Sequence, residues 1–299
     1  MRKFQPLLGY RKNPVIEELR FPLLGSPKYD GIRGLVTADQ KLITRKLKDV
    51  PNLHARKLFQ DPRLIGCEGE LIAGPPTAPD VMQRTTSAVM SEDKVDLQLC
   101  FYVFDYFLEP DMHYGRRLQL LQRLKLPHKG VELVDQEWLE DPAEAYEMEE
   151  RVVRQGFEGL MLRAPGGIYK FGRSTLDEQY LLKWKRFEDG EAVILSVHEG
   201  SSNQNEQTRD ERGHSKRSKK AEGMVPNGTF GYAHVRDLVT KVEFDVGAGP
   251  GLTLARRAEL WKIRDQLPGW YMKYRFQPVG VKEKPRFPRH LSISKRRHA

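Results

Sequence analysis

Lys28-Tyr29-Asp30-Gly31-Ile32-Arg33 is the stretch on which the reading of this chain turns. In an extended segment Lys28 and Asp30 point to one side of the backbone. Gly31, with Gly34 just beyond it, lets the backbone turn and come close to a ligand. Pro27 removes a backbone donor and stiffens the approach to Lys28. A lysine amine is a good nucleophile only when deprotonated, which takes a cationic neighbour, desolvation or a metal. Taken alone, the segment also has a plainer reading, in which Lys28 is a solvated charge at a strand end.

Later segments add chemistry one group at a time. Glu68-Gly69-Glu70-Leu71 sets two carboxylates two apart on an expected strand, hence on one face. Such a pair suits Mg²⁺ or a sugar hydroxyl, and equally a solvated strand edge. Phe104, in Phe104-Asp105-Tyr106, offers a ring to a purine or to the core. Phe157-Glu158-Gly159-Leu160-Met161-Leu162-Arg163 brings a carboxylate to the start of a strand. In Leu181-Leu182-Lys183-Trp184-Lys185 the two lysines share one face, and Leu182 and Trp184 the other. Facing a cleft, the lysines meet a phosphate; facing solvent, they make an ordinary amphipathic strand.

Around these segments the first half of the chain reads as short strands. Residues 34–37 and 41–45 flank a polar turn and predict a hairpin. A strand over 70–73 stops at Gly74-Pro75-Pro76, and 97–107 alternates with many aromatics. A helix is expected over 142–155, with Asp141 as cap, Pro142 at its first position and Gly156 at its end. Strands follow over 159–163 and 181–185.

After Arg186 the pattern changes. Strands are expected over 191–198, 229–236, 240–246 and 270–276, and Leu254, Ala258 and Trp261 follow helical spacing between the last two. Five or so short strands with one inserted helix suit an OB-fold barrel. Residues 200–223 carry no aliphatic side chain except Ala221 and include the run Lys216-Arg217-Ser218-Lys219-Lys220. They read as a structureless mobile loop between two barrel strands, either a solvated insertion or a flexible basic arm that closes around DNA.

Composition bounds the answer. A chain of 299 residues allows two domains, and 39% hydrophobic with 30% charged residues excludes disorder throughout. The net charge of +9 is uneven: residues 187–299 hold 21 basic and 14 acidic residues, whereas residues 1–186 hold 29 and 27. A basic second half points to a polyanionic partner, most simply nucleic acid. Two cysteines, Cys67 and Cys100, build neither a disulfide framework nor a CxxC metal pair, so a reducing cytoplasm is expected. The first ten residues lack the apolar core of a signal peptide, and no run approaches the ~20 apolar residues of a membrane span. No GxxxxGK[ST] loop and no GxGxxG after a strand occurs, so a nucleotide would be held by other means.

The succession KYDGIR, EGEL, FDY, EGLMLR, LLKWKR resembles the ATP-dependent DNA ligases of the covalent nucleotidyltransferase superfamily, most of all the compact bacteriophage-type enzymes. The resemblance implies an α+β fold. An ATP-grasp-like adenylation domain of antiparallel sheets with helices occupies 1–186, and an OB-fold β-barrel with a flexible basic loop at 200–224 occupies 187–299. It implies ATP as nucleotide, Mg²⁺ or Mn²⁺ as metal and nicked double-stranded DNA as partner. It further implies a monomer without a membrane partner, in a cytoplasm that is the host's for a phage protein.

Residue by residue, Lys28 matches the lysine that becomes adenylylated. Asp30 and Arg33 match residues that position the ribose and the phosphates or the nick. Arg45 resembles an arginine that meets the nick phosphate. Glu70 and Glu158 match the two metal-linked carboxylates, Glu70 also meeting the ribose. Phe104 matches the aromatic stacked on adenine, and Lys183 and Lys185 match the pair that grips the α-phosphate. Arg286, with Lys284 nearby in Lys284-Pro285-Arg286-Phe287-Pro288, resembles the basic group that orients leaving pyrophosphate. On this reading Arg33, Arg45, Lys216, Arg217, Lys219 and Lys220 meet DNA.

Ser26-Pro27 departs from the pattern, since many relatives place a larger polar or acidic residue there, near the adenine. The bound metal and the lysines at 183 and 185 are expected to depress the pKa of Lys28. Lys284 and Arg286 are expected to reach ATP only when the second domain closes. Other readings are an RNA ligase, a GTP-using mRNA guanylyltransferase, and a non-catalytic OB-type DNA-binding protein. The last leaves the ordered series of Lys28, Asp30, Glu70, Glu158 and Lys183 without a reason.

Overall fold

The computed structural model describes residues 4–95, 98–127, 129–211, 213–249, 251–277 and 284–297. The chain divides into two units, Met1–Lys185 and Arg186–Ala299, one residue earlier than the boundary read from the sequence.

The first unit runs β1 (Leu23–Pro27), β2 (Ile32–Val36), β3 (Leu42–Thr44), α1 (Leu53–Leu58), β4 (Cys67–Ala73), α2 (Val81–Val89) and β5 (Leu99–Tyr106). It continues with α3 (Tyr114–Arg123), β6 (Val131–Leu133), β7 (Glu137–Leu139), α4 (Pro142–Arg154), β8 (Gly159–Arg163) and β9 (Leu182–Lys185). Two sheets result. One has the order β3-β2-β4-β5-β6, the other β7-β1-β8-β9. The first packs Val36, Phe59, Leu71, Phe101 and Val103 into one core. The second buries Leu23, Leu160, Leu162 and Leu182 against Ala145, Met148 and Val152 of α4.

Local chemistry explains the elements that pattern predicted. The expected hairpin is the β2–β3 pair, with Leu35 opposite Ile43. α4 starts where Asp141 Oδ1 accepts from the Glu144 amide at 3.0 Å, with Pro142 at its first position. The strand expected over 97–107 is Leu99–Tyr106; position 97 lies outside the described residues. β6 and β7 have three residues each, and β1, Leu-Leu-Gly-Ser-Pro, shows no alternation of apolar and polar side chains, so no period marks them in the sequence.

The second unit runs β10 (Glu188–Asn203), β11 (Gln207–Arg209), β12 (Ser215–Arg217), β13 (Met224–Asp237), β14 (Glu243–Gly247), α5 (Leu254–Lys262), β15 (Tyr271–Gln277) and β16 (Arg286–Ser294). Five of these strands close a barrel in the order β10-β13-β14-β16-β15, with β14 and β16 parallel. Ile194, Phe230, Val235, Phe244, Val246 and Met272 fill it, and Leu260 of α5 joins that core. This is an OB-type barrel with its helix between the third and fourth barrel strands. Thr240, expected to open a strand, sits instead in the β13–β14 turn. Asp237 Oδ1 accepts there from the amides of Val239 at 2.9 Å and Thr240 at 2.7 Å.

The expectation of a structureless loop over 200–224 is corrected. β10 and β13 run on past the barrel, pairing Ser201 with Pro226 and Asn203 with Met224. Beyond them β11 and β12 form a hairpin, with Gln207 opposite Arg217. Asparagine amides tie it together. Asn203 Nδ2 donates to the Ser218 carbonyl at 2.7 Å, and Asn205 Nδ2 donates to the carbonyls of Ser218 and Lys220 at 3.0 Å each. Backbone pairing and amide bonds build this arm without burying apolar surface, so no hydrophobic period marks it in the sequence.

Candidate functional site

The end of β1 and the start of β8 fix the centre of the site. The Lys28 amide donates to the Gly159 carbonyl at 2.8 Å, and the Glu158 amide donates to the Lys28 carbonyl at 3.4 Å. Gly159 must be glycine here: its φ is +138°, and a Cβ would lie 2.3 Å from the Trp184 carbonyl oxygen. These contacts hold Lys28 beside Glu158, which is 6% exposed. Glu158 forms an ion pair with Lys28 and a second with Lys185, at 2.9 Å.

The charges bear on one another in a definite order. Burial pulls the Lys28 ammonium down, but Glu158, helped by Glu70 and Asp30, outweighs it and leaves Lys28 above its ordinary value. Lys183 and Lys185 by themselves do not depress Lys28, because its nearest charge is the carboxylate of Glu158 and not a lysine. Burial pushes Glu158 up, yet Lys28 and Lys185 overcome it and hold the carboxyl at about 2. Lys183 is pulled down by burial and then by Arg173, Lys28 and Arg45. Lys185 is pulled down by burial and Lys28, in spite of Glu158.

β8 and β9 pair Met161 with Lys183 and Gly159 with Lys185, while Leu182 is buried in the core on the other face. On β4, Glu70 lies opposite Arg33 of β2. Burial raises Glu70 to about 7 against the pull of Lys28 and Arg33. Glu68 is not its partner in a cation site. Glu68 Oε1 accepts from Arg33 Nε at 2.6 Å, and its Oε2 accepts from the Tyr169 hydroxyl at 2.8 Å. Gly31 also has a reason other than ligand approach, since a Cβ there would meet the Leu71 carbonyl at 2.3 Å. It lets β2 close on β4.

Arg33 turns inward. Besides Glu68 it donates from Nη1 to the Leu7 carbonyl at 2.6 Å. The Arg33 and Arg163 guanidiniums each lie 5.5 Å from the centre of the Phe104 ring. Arg163 pairs with Asp105, which also receives Arg117 Nε on Oδ1 at 2.7 Å. Asp105 and Arg117 are fully buried. This Arg117–Asp105–Arg163 chain escaped the sequence reading. Asp105 and Arg163 stood inside the quoted segments, whereas Arg117 carried no signal beyond its place on α3.

Arg45 is exposed just after β3, and Arg173, which the reading of the sequence missed, donates to the Gly9 carbonyl at 2.6 Å. Both are charges that act on Lys183. In the second unit, Arg286 opens β16 and lies 5.0 Å from the Phe287 ring centre; Lys284 is exposed. On the arm, Lys216, Lys219 and Lys220 are exposed, while Arg217 bonds to the Asn205 carbonyl and, at 3.2 Å, to Gln207 Oε1.

Among the described residues no group of three or more His, Cys, Asp or Glu side chains is arranged to hold a metal ion. The donor set still distinguishes the two expected carboxylates. Both Glu158 oxygens are committed to lysines, whereas Glu70 keeps a carboxyl raised by burial that local cations do not offset. A divalent cation fits Glu70 and not Glu158 as arranged.

Two β-sheets carrying these lysines and carboxylates, followed by an OB-type barrel, define the nucleotidyltransferase class. The family described as the ATP dependent DNA ligase domain matches residues 13–185, more than half of the chain, and the chain belongs to that family. Among curated proteins no sequence matches it. Among solved structures it is similar to the Chlorella virus DNA ligase-adenylate, at 28% identity and a TM-score of 0.55, over 97% of this chain and 99% of that one. It is also similar to a Lig E DNA ligase described as binding DNA with a minimal scaffold, at 25% identity and a TM-score of 0.69, over 98% and 100%. The ligase domain of LigD from M. tuberculosis shares the fold at 16% identity and a TM-score of 0.50, over 98% and 95%. No helix among the described residues is long and apolar enough to cross a membrane.

Proposed function

We propose that this enzyme acts as a monomer that seals nicks in duplex DNA through a lysine-bound AMP on Lys28. The observation that carries the proposal is the Lys28–Glu158–Lys185 arrangement with Lys183 alongside. Neutral Lys28 Nζ attacks the α-phosphorus of ATP; an N–P bond forms, the bond to pyrophosphate breaks, and the amine proton is lost. Lys183 and Lys185 face the charge that grows on the phosphoryl oxygens. Asp30 and Glu70 hold the ribose side, and Phe104, steadied by Arg33 and Arg163, takes the purine. Mg²⁺ or Mn²⁺ would be held by Glu70 and would supply positive charge beside the triphosphate. Lys284 and Arg286 orient the leaving pyrophosphate. The 5′-phosphate of the nick then displaces Lys28 from the AMP phosphorus, and the 3′-hydroxyl displaces AMP to close the strand. A cytoplasm is the compartment in which this chemistry meets its substrates.

The test is direct. Incubated with Mg²⁺ and α-labelled ATP or GTP, the protein takes acid-labile label from ATP, and nicked duplex discharges it. Label from GTP alone, or a label that nicked duplex leaves in place, sinks the proposal.

The arm supports a second element of the same reading, in which Lys216, Lys219 and Lys220 contact the duplex backbone with Arg45 at the nick. Replacing the three lysines by alanine lowers the slope of log affinity against log salt for nicked duplex by about 3, roughly one per phosphate contact. Self-adenylylation stays at the wild-type level. An unchanged slope returns the arm to a solvated insertion.

A further inference from the structure

The β11–β12 hairpin pairs three residues with three, and residues 206–220 carry no aliphatic side chain and no Phe, Tyr or Trp. A hairpin of that size without a packed face is marginal in water, so its order has another source. Among residues 201–209 only Asn203 and Asn205 are half-buried; the others are exposed.

The Asn205 side chain is the centre of the arm. Its Nδ2 lies 3.0 Å from the Ser218 carbonyl, 3.0 Å from the Lys220 carbonyl and 2.9 Å from Asn203 Oδ1. Backbone carbonyls only accept, which fixes the amide nitrogen on that side. The Asn205 carbonyl in turn accepts from Arg217. Residues 218–220 lie between β12 and the turn at Ala221, in no strand, and these side-chain bonds hold their backbone. Lys219 and Lys220 are exposed on it. Gly223 completes the fit. A Cβ there would lie 2.4 Å from Asn205 Cγ and 2.7 Å from its Nδ2. Gly223 does not have the positive φ that bars alanine, so what the glycine provides is room for that amide.

We propose that Asn205, seated against Gly223, is a positioning residue for duplex DNA, which sets Lys219 and Lys220 in place before the duplex arrives. This rests on the reading above in which those lysines meet the duplex backbone. A preformed arm binds without the loss of chain freedom that ordering it on the duplex would cost. Asn205 acts on affinity through the lysines.

The experiment uses the full chain and measures sealing of nicked duplex, together with hydrogen exchange of the arm amides without DNA. In Asn205→Ala, KM for nicked duplex rises roughly tenfold, the scale of one or two net hydrogen bonds. The kcat at saturating duplex and self-adenylylation stay at the wild-type level, and the β11–β12 amides, protected in wild type, exchange roughly tenfold faster. Gly223→Ala, which pushes the amide off its carbonyls, raises KM likewise, yet adds nothing in an Asn205→Ala background, where the space is vacant. Wild-type arm amides that exchange as an open chain overturn the proposal. So does Gly223→Ala at the same cost in both backgrounds, or loss of self-adenylylation in Asn205→Ala, which marks a role in the fold. The triple-lysine variant separates the two readings. An unchanged KM in Asn205→Ala, beside a lowered salt slope in the triple-lysine variant, removes Asn205 and keeps the arm on DNA. No effect in either removes both.

Discussion

Lys28→Ala abolishes covalent labelling by ATP, a loss of roughly a thousandfold or more, while leaving the sealing of a nick that already carries AMP. The dissociation follows from chemistry. Only the first two steps need an amine at position 28, and the last needs the 3′-hydroxyl and phosphate stabilisation. Loss of all three steps together would mean that Lys28 holds the fold and not the nucleotide.

Glu158 supplies the companion measurement. In wild-type protein without nucleotide, the Lys28 side chain titrates above the ordinary 10.5, because Glu158 outweighs burial. In Glu158→Gln the burial and Lys185 remain, and Lys28 titrates below that value. Lysine-selective NMR follows both. A wild-type Lys28 titrating below 10.5 would refute the arrangement. The sign carries over to stability. Lys28, with its raised pKa, contributes fully below 10.5 and loses its contribution as pH rises through the folded value. Glu158, held at about 2 against an ordinary 4.5, contributes above 4.5 and loses its contribution as pH falls toward 2.

Asp105→Ala destabilises the first unit by about 3–5 kcal/mol, the cost of leaving buried charges without their partner. Asp105 is fully buried between Arg117 and Arg163, and the substitution strands both guanidiniums. Arg117→Met costs less, because Arg163 still answers the carboxylate and the methionine fills the volume. Urea unfolding measures both. Equal stability of Asp105→Ala and wild type would show that water or rearrangement satisfies the pair. The cluster reaches the site through Phe104, so a folded Asp105→Asn variant also weakens ATP binding. Its KM for ATP in self-adenylylation rises.

Much of this was open to reading along the chain. The helix over 142–155 declared itself by Asp141 and Pro142, whose preferences are local. The β8 and β9 strands, the β2–β3 hairpin and the helix α5 declared themselves by period. Lys28, Glu158, Lys183 and Lys185 were named from motif order, and the structure brings them together. The arm is not legible along the chain, because its pairing rests on backbone and asparagine amides, which leave no apolar trace.

The sequence by itself determined which residue types stand at the ends of which strands. It also determined that a near-neutral half carries Lys28, Lys183 and Lys185 while a basic half follows. Only the tertiary structure decided their electrostatics. Glu158 sits between Lys28 and Lys185, and its carboxylate holds the Lys28 ammonium above its ordinary value against the pull of burial. Glu68 goes to Arg33 and Tyr169, while burial raises the carboxyl of Glu70. A charge or a hydrogen bond is worth what its neighbours and its burial make it, and residues far apart along the chain supply both.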